Sequence, residues 1–340
     1  MSIRKSIAAA FILGSLLLPS SVSAQFNWPY KVTNGKAVTE VPVRAAGQES
    51  ALNMTTPKLK VVRVAFVGLG MRGHDAVERW THIPGIQVMA LCDYERNRAE
   101  RCQEYLRKAS MPAADIYSGE DGYKELCKRK DIDLVYIAPD WKHHFLVAYE
   151  AMNNGKHVAV EVPAAMNLTE IWKLIDISEK KRLHCMMLEN VCYDHFELMS
   201  IELVKQGKLG ELVHAEGAYI HDLRHLNFRQ TDRDIERGKW RMQYSKTFEG
   251  NPYPTHGISP ICQAMGILRT DRLESLVSMS SLAVGMREYA EEHFGKNSAE
   301  AQAHYTGDMN ISLLRTAKGK TIILQHDVTN PRPYSRIFML

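Results

Sequence analysis

The sequence predicts an α/β protein of two domains, the first a doubly wound parallel sheet and the second an α+β domain. Three observations carry this. A glycine-rich turn joins a strand to a helix, short apolar strands alternate with helices from residue 59 to about 190, and the alternation stops after Asn190. Short apolar strands separated by helices mean βαβ units, and so a parallel sheet covered on both faces. The length of 340 residues suits about two domains.

Val61–Val67 is the first strand, Gly68–Gly73 the glycine turn, and a helix follows to about Thr81. Ile86–Leu91 is the second strand, closed by Cys92-Asp93, and Glu95–Ala109 is a charged helix. Leu134–Ala138 is a third strand. The helix His143–Asn153 ends at Asn154-Gly155, a good C-terminal stop. His157–Val160 is the fourth strand, Leu168–Lys181 a helix and Leu183–Leu188 the fifth strand. Residues 59–190 thus form the predicted first domain. The second, 191–340, begins with a helix over Asp194–Gln206. It continues with strands at Leu212–Ile220, Ser275–Ser281, Met309–Arg315 and Lys320–His326, which suits a large, mostly antiparallel open sheet. Arg336–Leu340 reads as the middle of a further strand.

Residues 1–24 have a different character. Arg4-Lys5 precedes an apolar run, Ile7–Leu18, which Pro19-Ser20 breaks before Val22-Ser23-Ala24. This is the layout of a secretory signal peptide with cleavage near Ala24. The run falls short of the about 20 residues a membrane span needs, so no span is expected in the mature chain. The expected location is periplasmic or secreted, with residues 25–58 an extended leader or linker. Export permits disulfides. None of the six cysteines forms a CxxC pair, however, and free, mostly buried thiols are expected. Hydrophobic residues at 45% and charged residues at 24% exclude a disordered chain or a disulfide-dense miniprotein. Lys+Arg 43 against Asp+Glu 39 is too balanced for a nucleic-acid binder.

Gly68-Leu69-Gly70-Met71-Arg72-Gly73 is G-x-G-x-x-G between a strand and a helix, and Asp93 lies 20 residues past Gly73 at the end of the next strand. That is the full context of a dinucleotide fingerprint. Gly68 permits the tight turn, Gly70 lets the backbone approach a pyrophosphate, and Gly73 lets helix and strand pack closely. The helix N-terminus faces the phosphates. Asp93 would accept from the ribose hydroxyls and repel a 2′-phosphate, so NAD is the expected cofactor. His221 and His225 have a ligand-like spacing, but no third ligand is evident and no metal site is predicted.

From Val61 to Pro163 the chain resembles the Gfo/Idh/MocA oxidoreductases through VRVAFVGLGMRG, LCDYERNRA and DLVYIAPDWKHHFLVAYEAMNNGKHVAVEVP. Most members of that family carry Glu-Lys-Pro after the fourth strand, where the Lys helps catalysis. Here the triplet is Glu161-Val162-Pro163. The segments EVPAAM, LENVCYDHFEL, GKWRMQYSKTFEGNPYPTHGISPICQAMGI and ILQHDVTNPRPYSR resemble one branch, glycoside hydrolase family 109. Its members are α-N-acetylgalactosaminidases that keep NAD bound. They continue further, so the resemblance implies a shortened C-terminus.

The resemblance assigns NAD contacts to Met71, Arg72 and Asp93, to Trp141, Lys142, His143 and His144, to Glu161 and Val162, and to Asn190. It places Tyr219, Tyr253 and Tyr334 against the sugar. Arg241 and the run Tyr253, Pro254, Thr255, His256 lie near both. Tyr193, His195 and His256 are candidates for the proton transfers. The implied reaction releases terminal α-linked N-acetylgalactosamine by transient oxidation at C3, elimination across C1–C2, water addition and re-reduction, with NAD recycled. NAD-dependent glycosidases are an exception to the two-carboxylate rule. The alternatives are a periplasmic NAD-dependent sugar dehydrogenase and an inactive sugar- or NAD-binding fragment. The partner is a glycan, and a homodimer through the open sheet is expected by analogy with related oxidoreductases.

Overall fold

The computed structural model describes residues 28–229 and 240–340. The expected signal peptide lies outside the described residues. The chain divides into two compact units. One comprises residues up to Val160 together with Ala164–Met186; the other comprises Glu161–Pro163 and Met187–Leu340.

The first unit opens with a hairpin, β1 (Tyr30–Thr33) and β2 (Lys36–Thr39), where an extended leader was expected. The turn is Asn34-Gly35, both at positive φ (52° and 73°). That is the geometry a two-residue hairpin turn requires and Asn-Gly readily adopts. The rest of the leader is tied down. Arg44 grips the Glu179 carboxylate through two hydrogen bonds of 2.8 and 2.7 Å, and Gln48 adds a third of 2.9 Å.

Beyond the leader, a six-stranded sheet holds β3 (Val62–Val67), β4 (Ile86–Asp93), β5 (Asp115–Ser118), β6 (Leu134–Ile137), β7 (His157–Val160) and β8 (Cys185–Met187), in the order β5-β4-β3-β6-β7-β8. The registered pairs are all parallel. Five helices connect or flank the strands: α1 (Met71–Trp80), α2 (Arg96–Lys108), α3 (Gly122–Lys128), α4 (Trp141–Asn153) and α5 (Leu168–Lys181). β5 and α3 are absent from the sequence reading, being a four-residue strand and a seven-residue helix with little periodicity to show. The strands are close to continuously apolar because both faces are covered; Ala65, Val135, Ile137, Val158 and Val160 pack with Ala148 and Leu174 of the helices. Strand order reverses between β3 and β6, the switch point at which such sheets take their ligand.

The second unit contains β9 (His214–Ile220), β10 (Leu273–Ser280), β11 (Met309–Thr316), β12 (Thr321–Asp327) and β13 (Phe338–Met339), ordered β10-β11-β12-β9-β13. All pairs are antiparallel except β12 with β9. Its helices among the described residues are α6 (His195–Lys205), α7 (Arg224–Phe228), α8 (Trp240–Thr247), α9 (Thr255–Met265) and α10 (Gly285–Phe294). α7 and α8 lie within residues 222–256, to which the sequence reading assigned no helix or strand, and α9 starts at the end of that stretch. β11 alternates buried and exposed residues, so one face of the sheet is packed and the other open. Ile261 of α9 packs on Ile322 and Leu324 of β12 and Ala215 of β9. Helix and strand meet at the backbone through two glycines: a Cβ on Gly217 would run into the carbonyl of Gly257, and one on Gly257 would lie 2.6 Å from Leu324. The six cysteines are free thiols, four of them buried.

Candidate active site

In the first unit the glycine turn is built from the backbone outward. Gly68 has φ +87°, and a side chain there would collide with Ala138 and Pro139. A side chain at Gly73 would strike the carbonyl of Gly68. Gly70 is different, since a Cβ there meets nothing within 4 Å. Gly68 and Gly73 are therefore glycines for the fold, and Gly70 leaves an open cradle. Met71 is 77% exposed beside it, at the N-terminus of α1. Free N–H groups at such a terminus suit an anion. This turn fits the pyrophosphate of a dinucleotide.

Asp93 is buried and ties the turn to the next strand. Its carboxylate accepts from Leu69 N–H at 2.6 Å and from Glu95 N–H at 2.9 Å. Arg98 lies 3.5 Å away. At the N-terminus of α4, Asp140 caps the helix by accepting from His143 N–H at 3.2 Å, and the His143 ring sits 2.7 Å from its other oxygen. Burial pushes the Asp140 carboxyl up, but the hydrogen bond and charge of His143 outweigh it and hold it below its ordinary value. His143 thus serves a cap, Trp141 and His144 are buried, and Lys142 is exposed.

In the second unit a different chemistry gathers. Glu189 caps the 3-10 turn Asn190–Tyr193, accepting from Val191 N–H at 3.1 Å. The same oxygen lies 2.6 Å from His256 Nδ1, and both side chains are buried. Among the described residues its second oxygen has no hydrogen-bond partner, nor does the neighbouring Thr255 hydroxyl. A carboxylate only accepts, so Nδ1 carries the proton and Nε2 of the neutral ring is left as a base.

Tyr219 lies two residues past Gly217 and His256 one before Gly257, so the close glycine contact brings the two rings to 5.1 Å. Tyr253 completes a trio at 5.2 Å from Tyr219 and 4.8 Å from His256. Burial pushes the Tyr253 phenol well up; Arg241 opposes that, while Tyr219, Glu189 and Glu161 add to it. The Arg241 guanidinium lies 4.8 Å from the Trp240 ring centre and 5.7 Å from that of Tyr253. Tyr334, 51% exposed, stands 6.4 Å from Tyr219 and edge-on to His221 at 4.7 Å.

Of the predicted residues, the second unit therefore brings together Tyr219, Arg241, Tyr253, His256 and Tyr334. Glu161 is half-buried and Val162 buried, while Asn190 is exposed. Tyr193 and His195 are exposed, and among the described residues they share none of the ring contacts of the trio. Sequence reasoning missed Glu189 and His326, and weighed His221 only as a metal ligand. Glu189 carried a signal, being an acid directly after an apolar parallel strand. His326 carried none, because only the β9–β12 register sets it opposite Tyr219, on which it stacks at 6.3 Å.

Residues 62–189 match the profile of the oxidoreductase family, NAD-binding Rossmann fold. Residues 193–340 match that of the glycosyl hydrolase 109 C-terminal domain. Glycosyl hydrolase family 109 protein 1 of Bacteroides thetaiotaomicron is 47% identical over 337 residues, covering 99% of this chain and 70% of the relative. The chain belongs to glycosyl hydrolase family 109. Family 109 protein 5 of Phocaeicola vulgatus is 49% identical over 346 residues, which is 99% of this chain and 65% of that protein. The chain spans 58% to 65% of the length of three such relatives from that organism. Among solved structures, an oxidoreductase domain protein from Kribbella flavida aligns with TM-score 0.63 at 17% identity, covering 82% of this chain and 71% of that one. Myo-inositol dehydrogenase from Lactobacillus casei, in complex with NAD(H) and myo-inositol, aligns with TM-score 0.57 at 18% identity, covering 82% and 74%. At such identities the likeness establishes the fold.

Two outcomes follow from this geometry. Gly70→Ala puts a Cβ into the cradle with nothing of the chain within 4 Å of it, so NAD affinity should fall by at least about tenfold, roughly 1.4 kcal/mol, while the thermal midpoint stays put. Calorimetric NAD titration beside thermal unfolding measures both. Burial of His326 lowers its pKa from the ordinary 6.5 to about 4, with Asp327 opposing. The unfolded chain then takes up the proton first, so this stabilisation is complete above about pH 6.5 and is lost as pH falls towards 4. His326→Gln should remove roughly 2 kcal/mol of the stability difference between about pH 7 and about pH 5, read by denaturant unfolding at the two pH values.

Proposed function

We propose that this family 109 protein is an exported glycosidase that releases terminal α-linked N-acetylgalactosamine from glycans and keeps its NAD through the cycle. The observation that carries the reading is the buried Glu189–His256 pair ringed by Tyr219 and Tyr253, with Tyr334 exposed alongside. Aromatic faces suit sugar C–H surfaces, and one fixed base serves reversible proton transfer at a hydroxyl. Val162 in place of the oxidoreductase lysine weighs against an ordinary dehydrogenase.

The glycine turn and Asp93 would hold the dinucleotide, joined by Met71 and Arg72 at the helix N-terminus. When bound, NAD supplies a hydride acceptor at C3 of the sugar and returns the hydride at the end. His256 Nε2 takes the proton of the C3 hydroxyl, and the Glu189 carboxylate steadies the imidazolium that forms. The C3 ketone acidifies the proton at C2. A base removes that proton as the C1 aglycone leaves with a proton from a tyrosine hydroxyl of the cluster; when water adds at C1 it gives a proton back to that tyrosine, and the base returns its proton to C2. Arg241, ordered between two rings, offers a cation to the oxygen that carries negative charge in the elimination. No net redox change occurs, which suits an exported protein without access to a nucleotide pool.

The test is the full chain with a chromogenic α-N-acetylgalactosaminide in heavy water, with no nucleotide added. Aglycone release with deuterium at C2 of the product and no accumulating NADH supports the reading. Stoichiometric NADH with an oxidised sugar would instead establish the dehydrogenase. His256→Ala should lower turnover by about 10²–10⁴-fold and Glu189→Gln by a smaller factor, with folding intact.

The open sheet face supports a homodimer. Val277 lies opposite Leu313 and Met279 opposite Ile311 in register, and all four are at least 48% exposed. An apolar patch of this kind marks an association surface, and we propose a second copy of the chain as its occupant. Sedimentation velocity should give a dimer that Leu313→Asp converts to monomer. A monomeric wild type at micromolar concentration would overturn this.

A further inference from the structure

The segment Pro331–Arg336 carries Tyr334 to the aromatic cluster without regular secondary structure of its own. Ser335 and Ile220 exchange backbone hydrogen bonds of 2.8 and 2.9 Å, which fix the chain path beside the half-exposed Tyr334 ring. Tyr334 and Arg336 stand two apart in extended backbone, so their side chains project to the same side. The Arg336 guanidinium lies 5.5 Å from the centre of the Tyr334 ring. It also lies 3.0 Å from the Asp194 carboxylate, at the N-terminus of α6.

We propose that Arg336, held by Asp194, is a positioning residue that sets the orientation of the Tyr334 ring for the sugar. The inference rests on the reading of this cluster as the sugar site. The side chains of the pair are 28% and 43% exposed, and an ion pair so open to water contributes little to stability. The effect lies in geometry: a guanidinium that lies by the ring while it pairs with a carboxylate narrows the positions open to the ring. His221 meets the ring edge-on at 4.7 Å, so cation and imidazole bracket the phenol. A planar guanidinium suits this double contact, and lysine does not replace it in full.

The test uses the full chain with Arg336→Met, Arg336→Lys, Asp194→Ala, Tyr334→Ala and the Arg336→Met/Tyr334→Ala double variant. Expected are a fall in kcat/KM of about tenfold or more for Arg336→Met at an unchanged thermal midpoint, partial recovery with Arg336→Lys, and no further loss when Arg336→Met is added to Tyr334→Ala, which has no ring to position. Additive losses in the double variant would overturn the proposal. An arm independent of activity uses protein with 13C-labelled tyrosine. The Tyr334 ring signals should move in Arg336→Met and Asp194→Ala while those of Tyr253 stay. Unmoved Tyr334 signals would refute the clamp even if the chain cleaves the sugar. A wild type that cleaves nothing but shows the shifts would sink the functional reading and leave the clamp standing.

Discussion

The second unit is organised around one hydrogen bond, the 2.6 Å contact between Glu189 and His256. A buried carboxylate is costly unless its oxygens find donors, and Glu189 meets that demand at one oxygen with Val191 N–H and the imidazole together. The bond joins the loop after β8 to the first turn of α9, and it fixes which nitrogen of His256 can exchange a proton. Helix α9 reaches this position because Gly217 and Gly257 allow backbone to meet backbone. Among the described residues the second oxygen of Glu189 and the Thr255 hydroxyl have no hydrogen-bond partner. Buried groups of this kind commonly find their partner in water or a ligand.

The two units divide the chemistry between backbone and side chain. The glycine turn is a matter of space: two glycines whose side chains would collide and a third whose would not. Asp93 keeps the turn in shape through Leu69 N–H, so the residue expected at the ribose also supports the fold. In the second unit, uncharged rings surround the acid–base pair. Burial keeps the Tyr253 phenol and the His326 ring in their neutral forms at neutral pH. Charged groups near the rings include Glu189, Glu161, Arg241 and Asp327, with the Asp194–Arg336 pair beside Tyr334.

The alternation of apolar strands and helices was legible because a parallel sheet covered on both faces leaves continuous apolar runs, as in Val62–Val67 and Leu134–Ile137. The glycine fingerprint was legible because its spacing is a steric requirement. Asn34-Gly35 carried a hairpin signal that low overall periodicity masked, and the flanking strands are wholly exposed. Among site residues, those named by resemblance, Tyr219, Tyr253, His256 and Tyr334, do come together. Residues whose role depends on register or on a loop's path were not readable: His326 faces Tyr219 only through the β9–β12 pairing, and Arg336 reaches Asp194 only because Ser335 bridges to Ile220.

The central claim is that Glu189 holds the proton of neutral His256 on Nδ1 and leaves Nε2 as the base. Nitrogen NMR of histidine-labelled protein, with His256 assigned by substitution, reads this tautomer directly. The account predicts a protonated Nδ1 and a bare Nε2 in the neutral ring, with the preference weakened in Glu189→Gln. A neutral ring protonated at Nε2 in the wild type would contradict it.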